Sequence, residues 1–384
     1  MKKYLKNTGG ITLISLVITI VILLILAGIS ISALTNQGLF ARAKEAKEKT
    51  EQKTAEESAT LREYEEQIGV AIGDPNYIAA KTIVEAQTDD MLTKKVNSPI
   101  VDAYGNKITV PAGFKIKVDD TTNNATTVDK GIVIIDSNEN EFVWIPVGTI
   151  YTNAEKTASK TIELGRYDFA SDGTPSAYSG SYVEEDSTDI ANLKNYGNTI
   201  AKNINEFRAK ASAAESGGFY IGRYEARTGT ARSAKTDALT TLTTKASDYV
   251  YNYVTQIQAA DLARNMYKDS TKFTSDLMNS YAWDTATLFL QICGTNSKYS
   301  RQNTVSGFAA TGTNKQTTKD VQCNVYDMAS NTTEWTTETY RDSGYACGIR
   351  GGIYDISDFY TSLRGNGSTS RSGVGISFRP ILYV

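Results

Sequence analysis

The longest apolar run of the chain extends from Ile11 to about Ala33 and follows the short polar segment MKKYLKNTGG. An α-helix of roughly 23 residues, rising about 1.5 Å per residue, is long enough to cross a hydrocarbon core of about 30 Å. The pattern therefore predicts a transmembrane helix. Lys2, Lys3 and Lys6 precede it. Because cationic flanks tend to stay in the cytoplasm, a single-pass protein with its C-terminal domain outside the cell is expected.

Strong helix formers continue from Ala41 to Ile68 and carry opposite charges four residues apart. The pairs are Lys44 with Glu48, Glu45 with Lys49, and Lys47 with Glu51. One continuous transmembrane and stalk helix is therefore predicted over 11–68, about 85 Å long. A solvated charged linker is the alternative for the second half. For the first half, the alternatives are a plain anchor and a cleaved secretory signal, although the apolar region of a signal usually spans about 7–15 residues.

After residue 68, short alternations of apolar and polar residues replace the helical pattern. Residues 69–110 are interpreted as a connector with a small hairpin, and 111–384 as a mixed domain of short antiparallel strands. Residues 151–215 are read as a polar insertion that ends in an amphipathic helix. Apolar stripes predict two further helices, from Gln256 to Tyr267 and from Tyr281 to Cys293. The predicted fold class is α+β.

Composition excludes several function classes. The chain has 384 residues, a net charge of −3 and no histidine. The signs of charge are interspersed without a basic stripe, so no nucleic-acid partner is expected. Without histidine, neither a Ser/His/Asp nor a Cys/His catalytic arrangement can form. Three cysteines are too few for a disulfide framework, and they allow one bridge at most.

The residues around the start of the apolar run resemble the type IV prepilin signature. They read Gly10-Ile11-Thr12-Leu13-Ile14, a leader that ends in glycine followed by an apolar mature N-terminus. The resemblance implies that a prepilin peptidase cleaves between Gly10 and Ile11, and it implies the membrane and other pilin-like subunits as partners. That family usually carries glutamate at the fifth mature position, where this chain has Ser15.

Five later segments resemble, in the right order, motifs of the sulfatase-modifying-factor family. They are FVWIPV at 142–147, GFYIGRYE at 218–225, VYDMASNTTEWT at 325–336, RGGIY at 350–354 and GISFRPIL at 375–382. That family comprises the formylglycine-generating enzymes and their non-catalytic relatives, so a C-type-lectin-like fold is implied for 111–384. Catalytic members need two cysteines after the RGG motif. Ile356 and Thr361 stand at those positions, so no enzymatic activity is expected.

The same resemblance implies a calcium site. Matched residue by residue, the side chains of Asp327 and Glu334 and the backbone carbonyls of Ser330 and Thr332 would be the ligands. Hard oxygen ligands of this kind suit calcium. The alternative is that Glu334 only forms hydrogen bonds within its loop.

A candidate ligand-binding loop lies near the C-terminal end of the sequence, between two predicted strands. Its aromatic and hydrogen-bonding residues are Tyr354, Phe359, Tyr360, Arg364, Asn366 and Arg371. Tyrosines beside small polar residues are typical of recognition loops, because the rings supply contact area with few rotatable bonds. A solvated loop is one alternative, and a site in the insertion around 167–182 is another. In C-type-lectin-like proteins that retroelements diversify, sequence variation is placed in this C-terminal region. A further hypothesis is that this loop is diversified in the same way.

Three function classes remain. The favoured one is a surface-displayed recognition protein, with a lectin-like head on a pilin-like stalk that binds an unknown extracellular glycan or protein. The second is a structural minor pilin or pseudopilin of a type IV pilus or of an assembly like the type II secretion system. The third is a formylglycine-generating oxidase, which the missing thiols oppose.

Overall fold

The computed structural model describes residues 18–24, 42, 46, 47, 49, 50, 53, 80–119, 125–184, 202–212, 217–303, 320–340 and 346–384. The chain divides into two compact units, Met1–Ala79 and Ala80–Val384. The described residues of the first unit, including 18–24, are helical. The sheets and the candidate site belong to the second unit.

Short strands dominate Ala80–Val384. The first eleven are β1 (Lys81–Thr82), β2 (Ser98–Val101), β3 (Lys107–Val110), β4 (Phe114–Lys117), β5 (Val133–Asp136), β6 (Glu141–Pro146), β7 (Gly148–Tyr151), β8 (Ser159–Ile162), β9 (Tyr167–Phe169), β10 (Pro175–Ala177) and β11 (Tyr182–Val183). The remaining ones are β12 (Gly218–Gly222), β13 (Arg227–Thr228), β14 (Tyr249–Val250), β15 (Thr274–Leu277), β16 (Val321–Gln322), β17 (Val325–Tyr326), β18 (Thr333–Tyr340), β19 (Cys347–Arg350), β20 (Arg364–Gly367), β21 (Ile376–Phe378) and β22 (Pro380–Tyr383).

The described part of this unit contains three α-helices and four short 3-10 helices. The α-helices are α1 (Ile204–Ala211), α2 (Gln256–Asn265) and α3 (Ser280–Cys293), and the 3-10 helices are Glu85–Gln87, Asp89–Thr93, Val128–Lys130 and Tyr299–Arg301. Thr255 and Gln258 form a capping box at the start of α2, with each side chain accepting from the other's backbone N–H. Asn279 caps α3 by accepting from the N–H of Ala282. The two helices predicted from apolar stripes are confirmed as α2 and α3.

The larger core lies around a six-stranded antiparallel sheet of order β15-β22-β12-β6-β5-β4. Strand β6 has neighbours on both sides, and each of its residues is buried. This explains why its sequence reads as a nearly continuous apolar run. Trp144 of β6 packs against Tyr220 of β12, with 4.9 Å between ring centroids.

The second large sheet has five strands, with β18 at its centre. Its order is β11-β18-β19-β20, and β21 pairs with β18 in parallel. The loop expected between residues 354 and 372 therefore contains a strand, β20, which pairs with β19. Only Arg379 separates β21 from β22, so the chain passes from one large sheet to the other at that residue.

Five small sheets complete the unit. Strands β1, β2 and β3 form one, and the pairs β7-β8, β9-β10, β13-β14 and β16-β17 form the others. The hairpin predicted at the end of the connector is confirmed as β2 and β3. Asp102 stabilises its turn by accepting from the N–H groups of Tyr104 and Asn106.

The predicted α+β class, with a long N-terminal helix, is wrong for the described chain. Seven sheets account for most of the architecture, and α1 to α3 contain only 8, 10 and 14 residues. The predicted helix over 11–68 lies largely outside the described residues. The amphipathic helix predicted from Ile190 to about Ala214 contains α1, and its first part, up to residue 201, lies outside them.

The transmembrane prediction also needs correction. Among the described residues, no helix combines the length and the apolar character needed to cross a membrane. This finding overturns the predicted transmembrane helix, the single-pass membrane location and the pilin-like description. Gly10 and Ile11 lie outside the described residues, so cleavage between them stays a prediction.

Candidate functional site

The candidate recognition loop and the insertion meet at one cleft of about 250 Å³. The insertion contributes Tyr167, Asp168, Phe169 and Tyr178, and the 3-10 helix after α3 contributes Arg301. The candidate loop contributes Tyr360, Ser362, Leu363 and Arg364. Two regions that the sequence offered as alternative sites are therefore walls of the same cleft.

Backbone hydrogen bonds fix one wall of the cleft to the segment that follows α3. The N–H of Thr361 donates to the carbonyl of Gln302 at 3.0 Å, and the N–H of Ser362 donates to that of Ser300 at 2.9 Å. The buried Trp283 of α3 donates its indole N–H to the carbonyl of Thr361 at 2.9 Å. These contacts hold the backbone of both segments in place without any ligand.

Arginine side chains stack on the tyrosine rings of the cleft. The guanidinium carbon of Arg301 lies 3.7 Å from the ring centroid of Tyr360. The Tyr178 ring contacts two guanidiniums, with Arg364 at 3.8 Å and Arg166 at 4.5 Å. Such cation–π contacts contribute roughly 0.5–2 kcal/mol each, depending on exposure, and they restrict the rotation of both partners.

A buried charge cluster lies beneath the cleft. The Glu338 carboxylate accepts from Arg166 Nη2 at 2.5 Å, Arg364 Nε at 2.9 Å and Arg350 Nη1 at 3.3 Å. Asp284 of α3 accepts from Arg350 and Arg364. Asp284, Glu338 and Arg350 are completely buried. The three guanidiniums outnumber the two carboxylates, so the cluster carries one net positive charge.

The arginines of the cluster favour the ionised form of Glu338. Burial alone would raise the pKa of Glu338, but Arg350, Arg364 and Arg166 outweigh it and hold that pKa below its ordinary value. Burial raises the pKa of Tyr167 to about 12, so its hydroxyl stays neutral at physiological pH.

Of the six predicted binding residues, the structure places only Tyr360 and Arg364 in this cleft. Tyr354 donates its N–H to the carbonyl of Asn331 at 3.0 Å, and the carbonyl of Phe359 accepts from the side chain of Asn303. Arg371 Nη1 donates to the carbonyl of Asn366 at 3.2 Å. None of these four predicted residues lines the cleft.

The predicted calcium ligands Asp327, Ser330, Thr332 and Glu334 are all buried, but guanidiniums occupy their surroundings. Both oxygens of Glu334 accept from Arg379, at 3.1 Å from Nε and 2.6 Å from Nη2. Asp327 Oδ2 lies 3.6 Å from Arg227 Nη2. The hydroxyl of Thr332 donates to Glu225 at 2.6 Å.

This donor set does not fit a divalent cation, because two arginines already neutralise the carboxylates. Burial, with the nearby Asp327 as a second cause, raises the pKa of Glu225 to about 8. Within the ranges that the structure describes, no group of three or more acidic or cysteine side chains is arranged to hold a metal ion. The geometry favours the alternative reading, in which Glu334 has a structural role.

The positions matched to the catalytic thiols carry no sulfur. Ile356 is exposed, and Thr361 is buried with its hydroxyl 3.3 Å from the carbonyl of Gln302. Cys293, Cys323 and Cys347 are free thiols. Burial raises the pKa of all three, to about 11 for Cys293 and about 12 for Cys347, so each is a poor nucleophile at neutral pH.

Sequence reasoning missed the roles of Arg301, Asp168 and Tyr178. Asp168 and Tyr178 fall inside the insertion around 167–182 that served as the alternative site. Nothing in the sequence marks Arg301, because its partner Tyr360 lies 59 positions further along the chain.

No family model matches this chain, and no curated protein matches it. Several solved structures are similar. CarF is 16% identical with a TM-score of 0.27, covering 35% of this chain and 67% of its own. Treponema denticola variable protein 1 is 11% identical with a TM-score of 0.34, covering 64% and 96%. PvdO from Pseudomonas aeruginosa is 14% identical with a TM-score of 0.36, covering 66% and 98%. At TM-scores this low, these likenesses establish neither the fold family nor the function of this chain.

Proposed function

We propose that Ala80–Val384 is a recognition domain without catalytic activity, which binds a glycan or protein ligand in the cleft between the insertion and the candidate loop. The observation that carries the proposal is the pair of tyrosine–arginine stacks, Tyr360 with Arg301 and Tyr178 with Arg364, in one cleft. The resemblance of five sequence motifs to the sulfatase-modifying-factor family, which includes non-catalytic relatives, supports the same proposal.

The residues of the cleft favour binding over catalysis. Proton transfer needs a side chain whose lone pair or proton is available to the substrate. Asp284 and Glu338 accept charge-assisted hydrogen bonds from arginines. The phenol of Tyr167 donates to the carbonyl of Glu163 at 2.8 Å, and the rim carboxylate of Asp168 accepts from the N–H of Ser179 at 3.1 Å. No cysteine lines the cleft, and the chain has no histidine.

Preorganisation is the physical advantage of this arrangement. Tyrosine and arginine are enriched at binding hot spots because a large, partly desolvated surface is gained for little loss of side-chain freedom. Here the stack between Tyr360 and Arg301 is already formed, and hydrogen bonds from Thr361 and Ser362 hold the adjoining backbone. Less conformational entropy is therefore lost when a ligand binds.

The test is to screen the full-length protein on glycan and protein arrays and to measure the affinity of any ligand found. Tyr360→Ala should weaken binding by about 2 kcal/mol, roughly thirtyfold, with little change in melting temperature. Tyr354→Ala is the matched control, since Tyr354 belongs to the same predicted set but lies outside the cleft. Arg364→Ala is unsuitable because it would break the buried pairs to Asp284 and Glu338.

Full affinity in Tyr360→Ala would contradict the assignment of the cleft. Equal losses in Tyr360→Ala and Tyr354→Ala would also contradict it, because the effect would then not be specific to the cleft.

A further inference from the structure

Arg301 is a half-buried cation of the cleft with no anionic partner among the described residues. Its guanidinium instead stacks on the ring of Tyr360. The neighbouring Arg364, by contrast, has both Asp284 and Glu338 as partners. The cleft is therefore lined by one arginine that protein carboxylates bind, Arg364, and by one without such a partner among the described residues, Arg301.

The contact with the Tyr360 ring restricts which ligand groups Arg301 can bind. A guanidinium whose carbon lies 3.7 Å from a ring centroid has one face covered by that ring. Its N–H donors lie in the plane of the group, so they remain directed away from the ring. Two parallel N–H donors match the two oxygens of a carboxylate, and such bidentate pairs are stronger than hydrogen bonds between neutral groups.

The charges around the cleft also favour an anion. The cluster of Arg166, Arg350, Arg364, Asp284 and Glu338 carries one net positive charge. With Arg301 and the rim carboxylate of Asp168 included, the net charge stays at plus one. A ligand with a single negative charge would bring the site to neutrality.

Asp168 supplies the second recognition element. Its carboxylate is 45% exposed, with Oδ1 4.0 Å from Arg364 Nη1. Oδ2 accepts from the N–H of Ser179 at 3.1 Å, which fixes its orientation. An exposed, oriented carboxylate can accept a hydrogen bond from a ligand hydroxyl, but it repels a second acidic group. The rim therefore disfavours a run of acidic amino acids and favours a hydroxylated ligand.

We propose that the cleft binds an acidic sugar residue, with its single carboxylate paired to Arg301 and one of its hydroxyls donating to Asp168. This inference rests on the proposed function and specifies its ligand class. The cleft volume of about 250 Å³ lies just below the range typical of drug-sized ligands, which suits a single residue of a larger chain.

The test compares methyl glucuronoside with methyl glucoside by NMR titration of the full-length protein, with an Asp-rich peptide as a third probe. The glucuronoside should bind at least about tenfold more tightly than the glucoside, because only it forms the charge-assisted pair. Arg301→Gln should remove that difference and leave the melting temperature nearly unchanged. Arg301→Lys should restore part of it, since lysine keeps the charge but loses the planar fork. Asp168→Asn should weaken the glucuronoside but strengthen the peptide.

Equal affinity for the two glycosides, or an unchanged preference in Arg301→Gln, would overturn the acidic-sugar assignment. So would tighter Arg301-dependent binding of the peptide than of the glucuronoside. If an array ligand without a carboxylate binds and depends on Tyr360 but not on Arg301, this inference fails while the proposed function stands. If no ligand depends on Tyr360, both fail.

Discussion

Replacing Glu338 by alanine should destabilise the domain by about 3–5 kcal/mol, which is the usual cost of removing one partner from a buried ion pair. In the native protein its carboxylate lies 2.5 Å from Arg166, 2.9 Å from Arg364 and 3.3 Å from Arg350. Without it, Asp284 would be the one carboxylate of the cluster left to balance three guanidiniums. The loss is therefore expected from uncompensated buried charge as much as from the missing contacts.

The size of this effect should depend on pH in a defined direction. Burial would raise the pKa of Glu338, but the pairs to Arg350, Arg364 and Arg166 outweigh it and leave the folded-state pKa below its ordinary value. A group with a lowered folded-state pKa contributes stability above its unfolded pKa of about 4.3 and loses that contribution as the pH falls through the folded value. The difference between wild type and variant should be full at neutral pH and should shrink below about pH 4.

Urea unfolding of the full-length protein, followed by tryptophan fluorescence, measures the free energy of unfolding directly. Trp144, Trp283 and Trp335 are all buried, so their emission reports on exposure of the core. Glu206→Ala is the control, because Glu206 is 45% exposed and pairs with Lys210 at 3.1 Å on the surface of α1. The control should cost less than about 1 kcal/mol. A Glu338→Ala loss no larger than that would refute the reasoning.

Three other predictions follow from buried groups. Burial raises the pKa of Glu184 to about 7, so the folded state binds its proton more tightly than the unfolded state does. The stability of the wild type should therefore fall as the pH rises from about 4 to 7. Glu184→Gln should flatten that slope in melting curves recorded across this pH range, and an unchanged slope would contradict the assignment. Since Arg379 already neutralises Glu334, a calcium chelator should leave the melting temperature unchanged, whereas a clear drop would revive the calcium hypothesis. Burial raises the pKa values of Cys293 and Cys347, so a thiol reagent at neutral pH should label them slowly until the protein is denatured. Immediate labelling of these two cysteines in the native protein would contradict this prediction.

The sequence predicted those elements whose signal is local. The stripes that place Ala260 and Ala263 on one face of α2, and Ala286 and Leu290 on one face of α3, correspond to buried residues of those helices. Strand β6 coincides with the apolar motif at 142–147 within about one residue at each end. Periodicity succeeded here because each element buries one face or all of its length against neighbours.

The cleft could not be predicted in the same way, because it is made by contacts between distant segments. Arg364 was selected as a solvent-facing loop residue, yet it lies in β20 and pairs with Asp284, 80 positions away. The calcium prediction likewise depended on a local resemblance, that of residues 325–336 to a family motif. That resemblance does not reveal that Arg379, 45 positions beyond Glu334, takes both of its oxygens.

The position of β22 between β12 and β15 has a consequence for how the domain folds. A chain synthesised only as far as Arg379 contains both flanking strands of that part of the six-stranded sheet but lacks the strand that joins them. Its pairings link Leu382 to Tyr220, 162 positions earlier, and to Ser275. Folding rates fall as the sequence separation of contacting residues grows, because loop-closure entropy is lost before the contacts form. The six-stranded sheet should therefore form late and slowly. Until β22 pairs with them, β12 and β15 each have an unpaired edge to which other chains could bind.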